Sequence, residues 1–165
     1  MKAISPIVSS IIYRQIQPSE TAAVSSLACD VFDQFVAPHY QTEGVAEFHR
    51  YASAEALSQR HNSGYITLVA EHSGALVGML HLREAHDVSM LFVQSSRQRG
   101  GVARALLAAA EALAGEMDCE FTVSSSPNAV SAYERLGFRT TGPEQCVHGI
   151  RFMPMQRLSP NDRSS

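Results

Sequence analysis

Gln98-Arg99-Gly100-Gly101-Val102-Ala103 places two glycines just ahead of a helical pattern, with Arg99 and Arg104 beside them. Such a turn can hold an anion. The first amides of a helix lack intrahelical partners, the macrodipole adds about half a positive charge at that end, and residues without bulk let a phosphate approach the backbone. Close packing of a helix on a sheet also asks for small residues, so the turn by itself leaves both readings open. Two other phosphate motifs fit poorly. A Walker loop ends in Gly-Lys-Ser/Thr, whereas Val102 and Ala103 follow the glycines here. A dinucleotide fingerprint needs different spacing and an acidic residue about 20 positions on, where Phe121, Thr122 and Val123 stand. Shortly before the turn lie His81, Glu84, His86 and Asp87, side-chain types that carry protons in general acid–base chemistry. Surface histidines and polar residues at strand edges are the ordinary explanation of any one of them. The seven histidines show no zinc-ligand spacing, and no metal is expected.

The elements that would position these residues follow from periodicity. Residues 11–17 have the β-branched character of a strand, and Pro18-Ser19-Glu20 opens a pattern with Val24, Leu27, Val31 and Phe35 at helical spacing. A second helical stretch, residues 44–60, carries Val45, Phe48, Ala52, Ala56 and Leu57 on one side and ends at Asn62-Ser63-Gly64; Pro38 marks the connection. Residues 65–71 and 75–82, joined through His72-Ser73-Gly74, predict a hairpin. The apolar run 87–93 then leads through the turn into a helix with Val102, Leu106, Ala109, Leu113 and Met117 in one stripe. Residues 119–125 predict another strand, Ser126-Pro127 a short helix closed by Gly137, and residues 138–141 and 150–158 the last strands. A single domain over residues 1–158 is expected, with a frayed polar tail at 159–165.

Two blocks make the reading specific. Gln98-x-x-Gly101-x-Ala103 resembles the Q/R-x-x-G-x-G/A signature of the GCN5-related N-acetyltransferases, and Asn128-Ala129-Val130-Ser131-Ala132-Tyr133-Glu134-Arg135-Leu136-Gly137-Phe138 is similar to the N-x-x-A-x-x-x-Y-E-K-L-G-F block of that family. Arg99 stands where many members have Gly, Ser95 replaces a common Pro, and Ala103 fills the last small position. The ending 149–155, with Ser124-Ser125-Ser126-Pro127, resembles an uncharacterised bacterial branch of the family, which brings no substrate with it. The resemblance implies an α/β (α+β) fold with a central mixed, mostly antiparallel sheet of about seven strands and about four helices. It also implies acetyl-coenzyme A as cosubstrate and acetyl transfer to an amine by direct attack through a tetrahedral intermediate.

By the same resemblance the pyrophosphate would lie on Gln98, Arg99, Gly100, Gly101, Val102, Ala103 and Arg104. Asn128 would lie near the coenzyme arm, where a helix-cap role is an equal alternative. Backbone groups near Phe92 or Val93 would face the thioester, because family members splay the fourth strand from the fifth. Tyr133 matches the tyrosine that protonates the departing thiolate, though at helical spacing it also shares a face with Ala129 and Leu136 and reads as a core aromatic. A lysine-like amine with pKa about 10.4 costs about 4 to 5 kcal/mol to deprotonate at pH 7. Asp87 is the first candidate base by position, with His81, Glu84, His86 or water as alternatives.

Composition bounds the remainder. Thirteen Lys and Arg against 16 Asp and Glu give a formal charge of -3 with no long block of like charges, which disfavours nucleic acid as a partner. No apolar run approaches the roughly 18 residues of a membrane span, and Ser5, Pro6, Ser9 and Ser10 interrupt any signal-like run. Cys29, Cys119 and Cys146 read as free thiols, so a cytoplasmic protein is expected. Asp30, Asp33, Glu43, Glu47 and Glu55 could attract a cationic acceptor, but exposed helix faces are ordinarily charged. The acceptor, a small molecule or a peptide, stays open, as do an oxygen or sulfur nucleophile, a longer acyl group and a homodimer. A non-catalytic acyl-coenzyme A sensor is the alternative of a different class.

Overall fold

The computed structural model describes residues 10–114 and 120–157. Residues 1–9, Met117, Cys119 and the tail expected at 159–165 lie outside the described residues. β1 (Ile12–Gln15) leads through a single 3-10 turn into α1 (Thr21–Phe35), which buries Val24, Leu27, Ala28, Val31 and Phe32. The helix expected over residues 44–60 is two helices, α2 (Thr42–Tyr51) and α3 (Ala54–Asn62). The break has a local cause. Ser53 is extended and its hydroxyl accepts a hydrogen bond from the Ala56 amide at 3.2 Å, which restarts the helix from an N-cap.

β2 (Ile66–His72) and β3 (Ala75–Arg83) form the expected hairpin, turning at Ser73 and Gly74 with φ of 51° and 81°. Two left-handed residues in succession give a two-residue turn the twist that its strands need. β3 also pairs antiparallel with β4 (Asp87–Val93). Both faces of β3 are covered, which is why its sequence runs apolar instead of alternating. On one face α1 and α3 pack over Val69, Met79 and Met90. On the other, α4 (Val102–Ala114) covers Leu68, Leu80 and Leu82. α4 buries Val102, Leu106 and Ala110, an i, i+4 row, together with Leu107; Leu113, expected in the buried stripe, is 46% exposed.

β5 (Phe121–Ser125) runs parallel to β4, and β8 (Ile150–Arg157) antiparallel to β5. α5 (Val130–Arg135) lies between β5 and β6 (Arg139–Thr140) in the chain; β6 and β7 (Gln145–Val147) each pair with β8. The sheet order is β1-β2-β3-β4-β5-β8-β6, with β7 on β8. Among the described residues the mixed, mostly antiparallel sheet thus has eight strands and five helices. The split at Ser53 and the short β7 account for the excess over the expected seven and four. All three residues of β7 are exposed, so no hydrophobic pattern announces it. Cys29 and Cys146 are free thiols.

Candidate active site

β4 opens the sheet. Among the described residues β4 and β5 share two rungs, Asp87 with Thr122 and Val88 with Val123, and then part. The cause lies one residue further along. β3 pairs Leu82 with Val88 and His81 with Met90, which leaves Ser89 as an extra residue on β4. A bulge of this kind bends its strand and increases the local twist. Beyond it, the Gln94 amide donates to the Val77 carbonyl at 2.8 Å. By the alternation of an antiparallel ladder, Phe92 and Met90 therefore turn their backbone groups to β3, and Leu91 and Val93 turn theirs to the gap. The Val93 carbonyl accepts from Gln98 Nε2 at 3.0 Å. Of the two positions expected to offer backbone groups, Val93 faces the gap while Phe92 brings a ring; Leu91, not named from the sequence, has the second open backbone.

The turn between β4 and α4 is built for exposed amides. A 3-10 turn at Ser95–Arg97 precedes an extended Gln98, Arg99 has φ 63°, Gly101 has φ 86°, and Val102 begins the helix. Successive N–H groups in such a mixed-handed stretch converge on a concave anion site. The sequence left the glycine pair divided between phosphate approach and helix packing. A Cβ at Gly101 would meet no atom within 4 Å, so packing does not require it; its positive φ does. The packing glycine is Gly78 on β3, where a Cβ would stand 3.0 Å from Val102 Cγ1 and 3.3 Å from Leu106 Cδ1. Gly78 lets α4 lie close on the sheet, and the turn's glycines shape its backbone. Arg97, Arg99, Arg104 and Arg135 border the cleft here. Arg104 Nη2 also donates to the Arg135 carbonyl at 3.0 Å, tying the start of α4 to the end of α5.

Tyr133 stands on α5, with its ring edge-on to Phe138 at 5.5 Å between centroids and its side lining the cleft. Gly137, at φ 96°, closes the helix, and the Phe138 amide donates back to the Tyr133 carbonyl at 3.0 Å. Burial pushes the phenol's pKa above its ordinary value, so it holds its proton at neutral pH. The ring is a core aromatic and the side chain also borders the cleft. Asn128 is not a cap: its Nδ2 donates to the Phe35 carbonyl at 2.8 Å and fastens the entry to α5 onto the end of α1, while Ser126 precedes the turn without a side-chain cap.

The candidate bases separate. Asp87 borders the cleft, yet Oδ2 accepts from Arg83 Nε and Nη2 at 2.9 and 2.7 Å and Oδ1 from the Thr122 hydroxyl at 2.7 Å. Both of its oxygens are thus already occupied. His81 is fully buried, its Nδ1 with the Thr67 hydroxyl at 2.8 Å and its Nε2 accepting from Arg60 Nε at 3.0 Å. Burial first, and then the guanidinium beside it, lower its pKa to about 4. It is a neutral structural group. Glu84 is exposed and His86 half-exposed on the β3–β4 connection, where Glu84 and Ala85 both have positive φ. Neither lines the cleft.

The cleft, about 1200 Å³, continues past β4 between α1, α2 and the β7–β8 hairpin. Phe32 and Phe48 stack at 3.8 Å between centroids, Phe48 meets Phe92 edge-on at 5.6 Å, and Phe32 meets Tyr40 edge-on at 5.7 Å. The Tyr40 hydroxyl donates to the Arg151 carbonyl at 2.7 Å, and burial pushes its pKa up to about 12. The β7–β8 turn, His148 and Gly149 at φ 52° and 79°, rests directly on Gly44 of α2. This half of the site was not legible in the sequence, where Phe48 read as one residue of an amphipathic stripe and Phe32 was not singled out. Pairing Gly44 with Gly149 requires the fold.

A family model described as an acetyltransferase (GNAT) domain matches residues 36–159. No curated protein matches the sequence. Among solved structures the fold is similar to a GCN5-related N-acetyltransferase from Rhodopseudomonas palustris, with a TM-score of 0.75 and 23% identity over 94% of this chain and 100% of that one. It is also similar to the PaiA N-acetyltransferase of Thermoplasma acidophilum, solved with coenzyme A, with a TM-score of 0.72 and 20% identity over 91% and 99% of the two chains. YjaB from Escherichia coli follows, with a TM-score of 0.70 and 19% identity over 89% and 97%. At these identities the structures attest the fold. The family model spans most of the sequence, including the turn at Gln98 and the block around Tyr133, and the chain belongs to the GNAT acetyltransferase family.

Proposed function

We propose that the protein transfers an acetyl group from acetyl-coenzyme A to an amine of a small molecule or peptide. The observation that carries this is the gap between β4 and β5, which leaves Leu91 and Val93 without a strand partner on that side, between an arginine-bordered helix start and the Tyr133 side chain. The residues present suit that cosubstrate. The amides of Gly100, Gly101, Val102, Ala103 and Arg104 would hold the pyrophosphate, with Arg99 and Arg104 adding charge. The gap-facing backbone of Leu91 and Val93 would align the pantetheine arm, and an amide there would donate to the thioester oxygen as charge develops on it. The amine's lone pair would attack the thioester carbon, the carbon–sulfur bond would break, and Tyr133 would give its proton to the departing thiolate. The amine's own proton would leave through water; Asp87, held by Arg83 and Thr122, would serve to position that water and not as a free base.

Thiol release from acetyl-coenzyme A across a panel of amines, read beside calorimetric binding of coenzyme A, tests this. Tyr133→Phe is expected to lower kcat by about 10²- to 10⁴-fold with coenzyme affinity unchanged. Unchanged turnover would remove Tyr133 as the acid, and coenzyme binding with no turnover of any acceptor would favour a sensor.

A further inference from the structure

Resting on the acetyl-transfer reading above, we propose that the acceptor is a monoamine carried on a flat apolar body, an arylalkylamine in chemical class, and not a polycation. The half of the cleft beyond β4 is walled by rings. Phe48 is the centre of that wall, stacked on Phe32 and edge-on to Phe92. Phe92 sits between Leu91 and Val93, whose backbone faces the gap, so the aromatic surface begins beside the place where the acetyl carbon would be attacked.

Charge points the same way. Among the described residues two carboxylates border the cleft, Glu47 and Asp87, and each already has an arginine. Arg50 Nη2 lies 2.5 Å from Glu47 Oε2, and Arg83 holds Asp87 at 2.7 Å. Arg83 itself borders the cleft. A polyamine or an aminoglycoside would bring several ammonium groups to a wall whose acids are compensated, and would lose their hydration without replacement. A single amine on an aromatic body instead packs that body against the half-buried Phe48 and Phe92, with Phe32 backing Phe48 from the core, and leaves one nitrogen near Leu91 and Val93. Apolar surroundings disfavour the ammonium form, so the same rings raise the share of neutral nucleophile in a site whose two bordering carboxylates are both held by arginines. Of the acidic helix residues noted in the sequence, Glu47 is the one that reaches the cleft.

The experiment compares 2-phenylethylamine with spermidine, kanamycin and a lysine-containing peptide at saturating acetyl-coenzyme A, following thiol release and the mass of each product. The kcat/KM for 2-phenylethylamine is expected to exceed the others by about tenfold or more, the range a well-fitted apolar contact gives. Phe48→Ala should raise its KM by about tenfold with a smaller change in kcat, and coenzyme A affinity by calorimetry should not move. Phe48→Leu, which preserves most of the packed volume, should raise KM in the same direction and stands in if the alanine variant fails to fold. A polycation preferred or turned over equally, no turnover of any of these amines by a protein that binds coenzyme A, or unaltered KM in both variants overturns the proposal. Failure to bind coenzyme A overturns the acetyl-transfer reading beneath it as well.

Discussion

Gly44→Ala would force apart two backbone segments that touch beside the cleft. A Cβ built on Gly44 stands 2.2 Å from the Gly149 carbonyl oxygen and 2.8 Å from its carbon. An ordinary carbon–oxygen contact needs about 3.3 Å, so α2 and the β7–β8 hairpin must separate by roughly 1 Å. Both sides of this contact are backbone, so no side-chain rotamer can absorb the shift. Overpacking of this kind costs about 1–3 kcal/mol of stability. His148 and Val147 border the cleft from the displaced hairpin, and a misplacement of about 1 Å can cost up to about 10²-fold in rate. Acceptor kcat/KM is therefore expected to fall by about ten- to a hundredfold, measured at saturating acetyl-coenzyme A. Coenzyme A affinity by calorimetry should stay within about twofold, because the clash touches no residue of the Gln98 turn. Ala46→Gly is the matched control: an exposed site on the same helix, costing about 1 kcal/mol in helix propensity with no clash. If Gly44→Ala melted and turned over like the native protein, or if Ala46→Gly reproduced its kinetics, the hairpin would not be the acceptor wall described here.

Stability should also depend on pH through His81. Its folded pKa is about 4 against an ordinary 6.5, so the unfolded chain binds the proton first as pH falls. The contribution is complete above pH 6.5 and is lost progressively down to pH 4, at about 1.4 kcal/mol per pH unit or about 3 kcal/mol in all. Urea midpoints across that window measure it, and a His81→Gln variant that kept the native slope would assign the proton elsewhere. At the turn, Gly101→Val forces a β-branched residue to φ 86° and should cost about 1–2 kcal/mol and weaken coenzyme A about tenfold or more. Gly101→Asn, which tolerates that conformation, should recover much of the stability; equal losses for both variants would argue against a conformational origin.

The sequence carried the half of the site proposed for the coenzyme further than the half proposed for the acceptor. Gln98, Gly101, Asn128 and Tyr133 lie within two short blocks whose spacing survives in one dimension, and the hairpin at Ser73-Gly74 declares itself through turn chemistry. What escaped depends on long-range contact. Asp87 stood as the first candidate base because Arg83 and Thr122 reach it only across neighbouring strands. His81 read as a candidate base because its Arg60 and Thr67 partners come from α3 and β2. Phe32 and Phe48 fit an amphipathic stripe whether that stripe faces a core or a cleft. The Ser53 break is a different case: serine is a capping residue type, but the apolar spacing across it fits one continuous helix.

The bulge at Ser89 has a mechanical side. Two rungs join β4 to β5, whereas β2–β3, β3–β4 and β5–β8 are laced by ladders of seven, six and five paired residues. The sheet is thus two panels meeting at a weak seam, and the seam runs along the floor of the cleft. Any molecule that contacted Val93 on one panel and Tyr133 on the other would act as a rivet, replacing in trans the rungs that the extra residue removed. Occupancy would then add to the ties that already cross the seam outside the sheet, Asn128 to Phe35, Tyr40 to Arg151 and Arg104 to Arg135.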